Sequence, residues 1–398
     1  MNSGEERVST QIPSKFMKII WVTKLSKRYN FKTSRIELTN ALKKRGHNIN
    51  LIMEKKIGEK SPRNKNVIYF PSESKPVFSS LVFGLLLIFY LPFIILRQKP
   101  DILLIDETTV WLPYVLGLKI FGIPLVLDVR TLPVENRRPL QFKTSLKLSK
   151  YLMNGYTMIT PELSEMLKEK FNLGNKKIGI WSSGVSINNF SNLNVKNVIM
   201  ENYRKSKNFI LLYHGSYSPT RGVENLVKSI ANLHPDIKKN ILLLFVGIKQ
   251  EKVKYLINLC RAKKVENNID FISKVEYEKI PEFIYYSDVG IIPLPTDNVW
   301  WKSSSPLKTL EYLAMGKPII ATNIPFHKRI FEKGECGILL SDNETKTLSD
   351  AITKLYQNRT MINKMGNKGR EIVEKFYSWD YKALEVEKFL EKIIKNPI

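Results

Sequence analysis

A loop of small residues followed by an amphipathic helix carries the residue types that bind a phosphate and a pair of hydroxyls. Residues 303–322 read SSSPLKTLEYLAMGKPIIAT. Ser305 is expected to cap a helix that starts at Pro306 and ends before a short buried strand. The free N–H groups of that helix suit a phosphate, and Glu311 could accept hydrogen bonds from two vicinal hydroxyls. The alternative is an ordinary capped helix with Glu311 paired to Lys308 one turn back.

A second loop could also hold a phosphate. Residues 209–214 predict a strand, and HGSYSPTRG follows it before an amphipathic helix that begins near Gly222. A strand, a glycine-containing loop, a basic residue and a helix N-terminus together suit an anion. Arg221 is the basic residue of this loop.

A third group of polar residues follows a predicted strand over 124–129. Ligands of open α/β sheets bind at the carboxyl ends of the strands, which is where Asp128, Arg130 and Glu135 would lie. Arg130 could bind a phosphate there. The alternative is a surface ion pair of Arg130 with Asp128 or Glu135.

The elements that position these residues alternate between strand and helix. Buried strands are predicted over 17–22 and 48–53, with a helix over 34–45 between them, which is typical of an α/β domain with a parallel sheet. The polar stretch 191–207 is predicted to be an interdomain linker. A length of 398 residues predicts two domains.

Composition restricts the partners. The net charge is +26, with a pI of about 9.7, which favours an anionic partner. Arg-rich arms, zinc-finger spacing and RNA-binding aromatic motifs do not occur, so nucleic acid is not expected as a partner. Two cysteines far apart in sequence and a polar start of the chain fit a reducing cytoplasm.

The most hydrophobic window covers residues 77–96 and contains no charge. Its length suffices for a membrane span, but it contains Pro92 and lies between two predicted strands of one sheet. An interfacial helix supported by Lys75, Arg97 and Lys99 is favoured. A buried core helix and a spanning helix are the alternatives.

The 303–322 segment resembles the sugar-nucleotide signature of family 4 (group 1) glycosyltransferases of GT-B fold. That signature is a Glu, seven residues, a second Glu, and a helix that ends in a Gly-Lys-Pro run. Glu311 stands at the second Glu, which binds ribose in the family, and Ser303 replaces the first, which touches the donor sugar. The loop after residue 214 resembles the family's Gly-Arg-x-x-x-x-Lys-Gly diphosphate loop, with Arg221 at the Lys and Ser216 at the Arg.

The resemblance covers residues 16–395 and implies an α/β, GT-B architecture of two Rossmann-like domains that face a cleft. The implied segments are an N-terminal acceptor domain, a C-terminal nucleotide-sugar-binding domain and a helix returning to the first domain, at 16–190, 208–376 and 377–398. The implied activity is retaining, metal-independent transfer of a hexosyl or related group from a nucleotide-diphosphate sugar to a hydroxyl. No cofactor is expected.

The resemblance also assigns roles to residues. Arg130 stands where the family commonly has a His, and residues 27–32 replace a Gly pair of the family's first loop. The expected catalytic residues are Arg130, Arg221 and Lys308. The expected donor-binding residues are Gly215, Ser216, Arg221, Ser303, Ser305, Leu307, Lys308 and Glu311. The expected acceptor-side residues are Tyr29, Asn30, Lys32 and Asp128, and no metal ligand is expected.

The expected acceptor is a lipid-linked or cell-surface glycan, with the protein bound peripherally to the anionic inner face of the cell membrane through residues 77–97. Polysaccharide biosynthesis is the implied process. A GT-B nucleotide-sugar epimerase and an inactive sugar-nucleotide-binding subunit are the alternatives.

Overall fold

The computed structural model describes residues 15–24, 32–56, 67–72, 76–109, 113–133, 139–191, 196–273 and 275–397. The chain divides into two units, Met1–Ser182 with Trp379–Ile398, and Ser183–Ser378. The sequence places the corresponding boundaries at 190, 208 and 376.

Parallel strands form the sheet of the first unit. The strands are β1 (Lys18–Thr23), β2 (Asn48–Lys56), β3 (Val67–Ser72), β4 (Ile102–Asp106), β5 (Leu125–Val129), β6 (Gly155–Met158) and β7 (Lys177–Ile180). Their order in the sheet is β3-β2-β1-β4-β5-β6-β7. The helices are α1 (Lys32–Lys44), α2 (Pro76–Gln98), α3 (Tyr114–Gly117), α4 (Pro139–Leu152) and α5 (Pro161–Phe171). Strands such as β4 are fully buried and largely hydrophobic because helices cover parallel sheets on both faces.

A second parallel sheet forms the other unit. Its strands are β8 (Phe209–His214), β9 (Ile241–Val246), β10 (Ile269–Ile272), β11 (Val289–Ile292), β12 (Ile319–Thr322) and β13 (Gly337–Leu340), in the order β10-β9-β8-β11-β12-β13. The helices are α6 (Val198–Ser206), α7 (Val223–Ala231), α8 (Pro235–Lys238), α9 (Gln250–Ala262), α10 (Ile280–Tyr286), α11 (Val299–Lys302), α12 (Leu307–Ala314), α13 (Pro325–Phe331), α14 (Thr345–Gln357) and α15 (Arg359–Phe376). Two parallel sheets with their helices confirm the predicted α/β class.

The C-terminal helix, α16 (Trp379–Lys395), belongs to the first unit, as predicted. Phe389 lies against Gly179, where a Cβ atom would come within 2.5 Å of its ring. Glu387 accepts hydrogen bonds from Arg45 Nε at 2.6 Å and Nη2 at 2.9 Å. The Nε2 atom of His47 lies 2.7 Å from the same carboxylate. These contacts fix α16 against the end of α1.

Helix α2 is apolar around its whole circumference. Phe83, Leu87, Leu91 and Ile95 recur every four residues and pack into the core with the strands. The opposite side is solvent-exposed and consists of Leu81, Leu85, Ile88, Phe89, Tyr90, Phe93 and Leu96. Length and composition would allow the Ser79–Gln98 stretch to cross a membrane, and 39% of its most apolar window is buried.

The structure corrects the linker prediction. Within the stretch 191–207, residues 198–206 form α6, whose start is capped because Asn197 Oδ1 accepts a hydrogen bond from Met200 N. Only Met200 of this helix is fully buried, which explains why no apolar period marks it in the sequence.

Candidate active site

The first turn of α12 begins one residue later than predicted and is not capped by a side chain. Pro306 is the N-cap residue, and it provides no side-chain hydrogen bond. The expectation that Ser305 caps the helix is wrong, because its Oγ accepts a hydrogen bond from Ser183 N at 3.0 Å and its carbonyl accepts one from Ser183 Oγ. A partner distant in sequence has replaced the local one. Leu307 is the first helical residue.

The Ser303 hydroxyl is also hydrogen-bonded to the backbone instead of being free for the predicted donor sugar. Its hydroxyl donates to the carbonyl of Val299 at 3.0 Å, and its side chain is buried at the end of α11. The predicted donor contacts of Ser303 and Ser305 therefore have no support in the positions of their hydroxyls.

The Lys308 side chain is buried and forms no ion pair within 4 Å among the residues that the structure describes. Its ammonium lies 3.8 Å from the centre of the Tyr213 ring and finds no hydrogen-bond partner among the residues that the structure describes. Burial holds the pKa of Lys308 well below its ordinary value. The positive charge of the nearby Arg221 adds to this shift, and the negative charge of Glu311 opposes it. A buried ammonium without an ion pair is unfavourable, so an anionic ligand at this position would stabilise the charged form of Lys308.

The loop after β8 leaves space beside that ammonium. Gly215 has a φ of +118°, and a Cβ atom there would lie 3.3 Å from Lys308 Nζ. Gly222, at the end of the same loop, has a φ of +70°, and a Cβ atom would come within 1.8 Å of the Pro293 carbonyl oxygen. Glycine is required at both ends because of backbone conformation and close approach.

Arg221 completes a pair of cations around one aromatic side chain. Its guanidinium lies beside the Tyr213 hydroxyl, which donates to the Ser216 carbonyl at 3.0 Å. Lys308 lies over the ring of the same tyrosine. The structure therefore brings together four predicted donor-site positions: Gly215, Ser216, Arg221 and Lys308. Sequence reasoning missed Tyr213, because a tyrosine in a buried strand is expected to be an ordinary core residue.

Glu311 is paired with two residues that the sequence did not indicate. Its Oε1 accepts a hydrogen bond from Tyr277 Oη at 2.8 Å, and its Oε2 lies 3.1 Å from His214 Nε2. The alternative, Glu311 paired to Lys308 one turn back, forms no hydrogen bond here, because Lys308 Nζ has no partner among the described residues, although Glu311 still raises the pKa of Lys308.

The predicted residues of the first unit lie at the end of β5. Asp128 is fully buried and accepts hydrogen bonds from Thr157 Oγ1 at 2.8 Å and Trp181 Nε1 at 3.1 Å. Burial raises its pKa. Arg130 stacks on Trp181, with its guanidinium carbon 3.4 Å from the ring centre, and donates to the Trp181 carbonyl at 2.7 Å.

Burial lowers the pKa of Arg130 to about 9. The alternative of a surface ion pair between Asp128 and Arg130 is wrong, because the Asp128 carboxylate is buried. It instead orients Trp181, on which Arg130 stacks. Asp128 thus has no exposed atom to offer an acceptor. Tyr29, Asn30 and the side chain of Lys32 lie outside the described residues.

The family is decided by models that match both halves of the chain. The model of glycosyl transferases group 1 matches residues 195–372, and the model of glycosyltransferase family 4 matches residues 33–189. This chain belongs to the group 1 glycosyltransferases. The segment with Arg221 and Lys308 lies inside the first match.

Solved structures agree with the GT-B fold of this group 1 glycosyltransferase. Anabaena HepE in complex with UDP-glucose has a TM-score of 0.71 at 14% identity, covering 94% of this chain and 100% of that chain. The likeness confirms the predicted architecture of two parallel-sheet units with a returning C-terminal helix.

Relatives in sequence are also glycosyltransferases. An uncharacterised glycosyltransferase of Methanocaldococcus jannaschii is 26% identical over 239 residues, covering 59% of this chain and 58% of the relative. The chain thus spans little more than half of that relative's length. The capsular polysaccharide biosynthesis glycosyltransferase CapM of Staphylococcus aureus is 23% identical over 293 residues, covering 68% and 71%.

Proposed function

We propose that this glycosyltransferase moves a sugar from a nucleoside-diphosphate sugar to a hydroxyl of a lipid-linked or cell-surface glycan. The single observation that carries the proposal is the Lys308 side chain, which is buried beside Arg221 and whose Nζ has no hydrogen-bond partner among the described residues. A diphosphate supplies the missing negative charge. The UDP-glucose complex of the Anabaena protein and the capsular role of the Staphylococcus protein favour this donor class and this acceptor class.

The chemistry assigned to the two cations is stabilisation of the leaving group. Negative charge develops on the diphosphate as the bond to the sugar breaks, and fixed positive groups lower the barrier. Lys308 and Arg221 carry that charge, and the N-terminus of α12 adds its dipole. Retention of configuration and independence of a bound metal ion belong to the proposal on the strength of the family resemblance.

The ribose is assigned to Glu311. Its carboxylate accepts from Tyr277 at 2.8 Å, and an ionised carboxylate has acceptor positions for further donors. Two vicinal hydroxyls would share or replace the Tyr277 contact. The catalytic assignment of Arg130 remains part of the proposal, supported by a guanidinium that is already held on Trp181.

Binding is tested by a thermal-shift screen with UDP, GDP, ADP and CMP and their sugar conjugates. We expect one nucleotide to raise the melting temperature, since a ligand at a hundredfold excess over Kd adds about 2.7 kcal/mol of stability. Lys308→Met should abolish the shift, and Lys328→Met, at an exposed lysine of the same unit, should preserve it. A wild-type protein that responds to none of these compounds would contradict the nucleotide-sugar donor.

Turnover distinguishes the enzyme from an inactive sugar-nucleotide-binding subunit. That second candidate is favoured by Ser303, which stands at the position of the family's first Glu and is buried on a backbone carbonyl. Release of the nucleoside diphosphate that requires an acceptor supports the transferase, and binding without release supports the subunit. The anomeric configuration of the product and the rate in EDTA test retention and metal independence.

Peripheral attachment to the inner face of the cell membrane is the last part of the proposal. The exposed apolar side of α2 forms a contiguous patch of the kind that marks a membrane or protein contact. Helices α2 to α5 cover the same face of the sheet, and α4 contributes the outward-facing lysines Lys143, Lys147 and Lys150. An exposed apolar strip on a sheet face that also carries surface lysines is typical of a protein that binds an anionic membrane interface.

A further inference from the structure

We propose that Trp301 is a positioning residue that holds Arg221 at the diphosphate site. The inference rests on the proposed function, since Arg221 is assigned there to the leaving diphosphate. The sequence alone did not predict a contact between Trp301 and Arg221.

Two contacts join Trp301 to consecutive residues of the loop that carries Arg221. The indole Nε1 donates to the carbonyl oxygen of Thr220 at 2.5 Å. The guanidinium carbon of Arg221 lies 4.9 Å from the centre of the indole ring. One side chain therefore fixes both the backbone of the Pro219–Arg221 turn and the direction of the cation.

Trp301 is itself held in place by the short helix α11. Asn298 caps this helix by accepting a hydrogen bond from Trp300 N at 2.9 Å, and Ser303 closes it through the Val299 carbonyl. The indole is also partly buried and packs against a hydrophobic core cluster of the second unit. The support that Arg221 receives is thus rigid rather than a second flexible side chain.

Arg221 needs such support because nothing of opposite charge provides it. No carboxylate lies within 4 Å of its guanidinium among the described residues, and the nearby Lys308 ammonium repels it. The electron-rich face of an indole attracts a cation at the distance observed here. With Trp301 in place, Arg221 loses less side-chain freedom when a diphosphate binds.

The test is a double-mutant cycle on UDP binding, measured by calorimetry, with Trp301→Leu, Arg221→Met and the double variant. Trp301→Leu is expected to weaken UDP binding by about tenfold, the loss of a partly desolvated cation–π contact. Trp301→Phe retains a ring and should restore about half of that loss on a logarithmic scale. In the Arg221→Met background, Trp301→Leu should change Kd by less than about twofold, because its effect passes through the arginine.

The same variants separate positioning from general support of the fold. The loss of UDP affinity should appear only with Arg221 present, while urea unfolding records the effect of Trp301→Leu on folding stability in each background. Equal weakening of UDP binding in both backgrounds, or none in either, would overturn the inference and leave the proposed function intact. A wild-type protein that binds none of UDP, GDP and ADP would overturn both.

Discussion

Lys308 stands where an unliganded protein would not be expected to place a cation. It occupies the second position of α12, at the positive end of the helix dipole, and its ammonium is buried beside Arg221. Both features disfavour a positive charge. The position is reasonable only if function maintains it, at some expense of stability.

Substitution of this lysine should therefore separate stability from binding. Lys308→Met is expected to leave the free energy of unfolding unchanged or to raise it by about 1 kcal/mol, because it removes an unpaired buried charge. Nucleoside-diphosphate binding should be lost at the same time. Urea unfolding measures the first effect, and Lys328→Met, which is expected to stay within about 0.5 kcal/mol, is its control. A large loss of stability in Lys308→Met would contradict the description of an uncompensated charge.

His327 gives the second unit a pH dependence. It is buried, with Nδ1 2.7 Å from the Thr322 carbonyl oxygen and Nε2 3.0 Å from Thr309 Oγ1, so both ring nitrogens are used in the neutral form. Burial lowers its pKa from 6.5 to about 4, and the nearby Lys308 adds to the shift. The unfolded chain therefore takes up a proton first as the pH falls.

The expected consequence is a loss of up to about 3 kcal/mol of stability between pH 6.5 and pH 4. His327→Gln can make both hydrogen bonds without titrating, so this part of the pH dependence should disappear. Urea unfolding at pH 7 and pH 4.5 compares the two proteins. The same decline in both would show that other groups cause it.

At the scale of elements, α16 depends on one carboxylate. Burial alone would raise the pKa of Glu387, but hydrogen bonds from Arg45 and His47 outweigh it and hold the pKa below its ordinary value. A carboxylate whose pKa is depressed in the folded protein stabilises the folded state at pH values above its unfolded pKa of 4.5. This stabilisation is lost as the pH falls through the pKa of the folded protein.

Replacement of that carboxylate should loosen the returning helix. Glu387→Gln is expected to lower the free energy of unfolding by about 2 kcal/mol at pH 7, since Arg45 keeps its charge and loses its partner. The difference from the wild type should narrow below pH 4.5. Glu165→Gln, at an exposed acid of α5 in the same unit, is the control in urea unfolding. A difference that stays constant down to pH 3 would contradict the pairing.

The elements could largely be predicted from the sequence, because parallel strands are continuous hydrophobic runs and α12 has a clear apolar period. What failed depended on contacts between distant residues. The sequence predicts that Ser305 caps α12, but its hydroxyl instead accepts a hydrogen bond from the backbone N–H of Ser183, which is 122 residues away in sequence. Helix α6 buries one methionine, and α11 spans four residues, so neither has a period to detect. The cations of the site were found, whereas their aromatic supports, Tyr213 and Trp301, were not.

At the scale of the whole molecule, the net charge of +26 and the exposed side of α2 predict how the protein distributes between water and lipid. The wild type should sediment with phosphatidylglycerol vesicles at low salt, since lysines attract anionic headgroups and the apolar strip inserts. Phe89→Glu with Phe93→Glu should abolish sedimentation. The matched control is Val198→Glu with Ile199→Glu, at two exposed apolar residues of the other unit.

The lysines of α4 should act differently from the apolar strip. Charge reversal at Lys143, Lys147 and Lys150 should weaken binding to anionic vesicles and reduce its salt dependence, without affecting nucleotide binding. A wild-type protein that stays in solution with anionic vesicles at low salt would contradict the membrane proposal.

We propose above all that Lys308 and Arg221 bind the diphosphate of the donor. The most direct measurement is a calorimetric titration of the wild type and of Lys308→Met with the nucleoside diphosphate selected by the thermal-shift screen, and with its monophosphate. We expect the wild type to bind the diphosphate at least about tenfold more tightly, and Lys308→Met to lose that preference, since a charged hydrogen bond contributes about 1.5–3 kcal/mol. Equal affinity for the two nucleotides, or an unchanged preference in Lys308→Met, would contradict the claim.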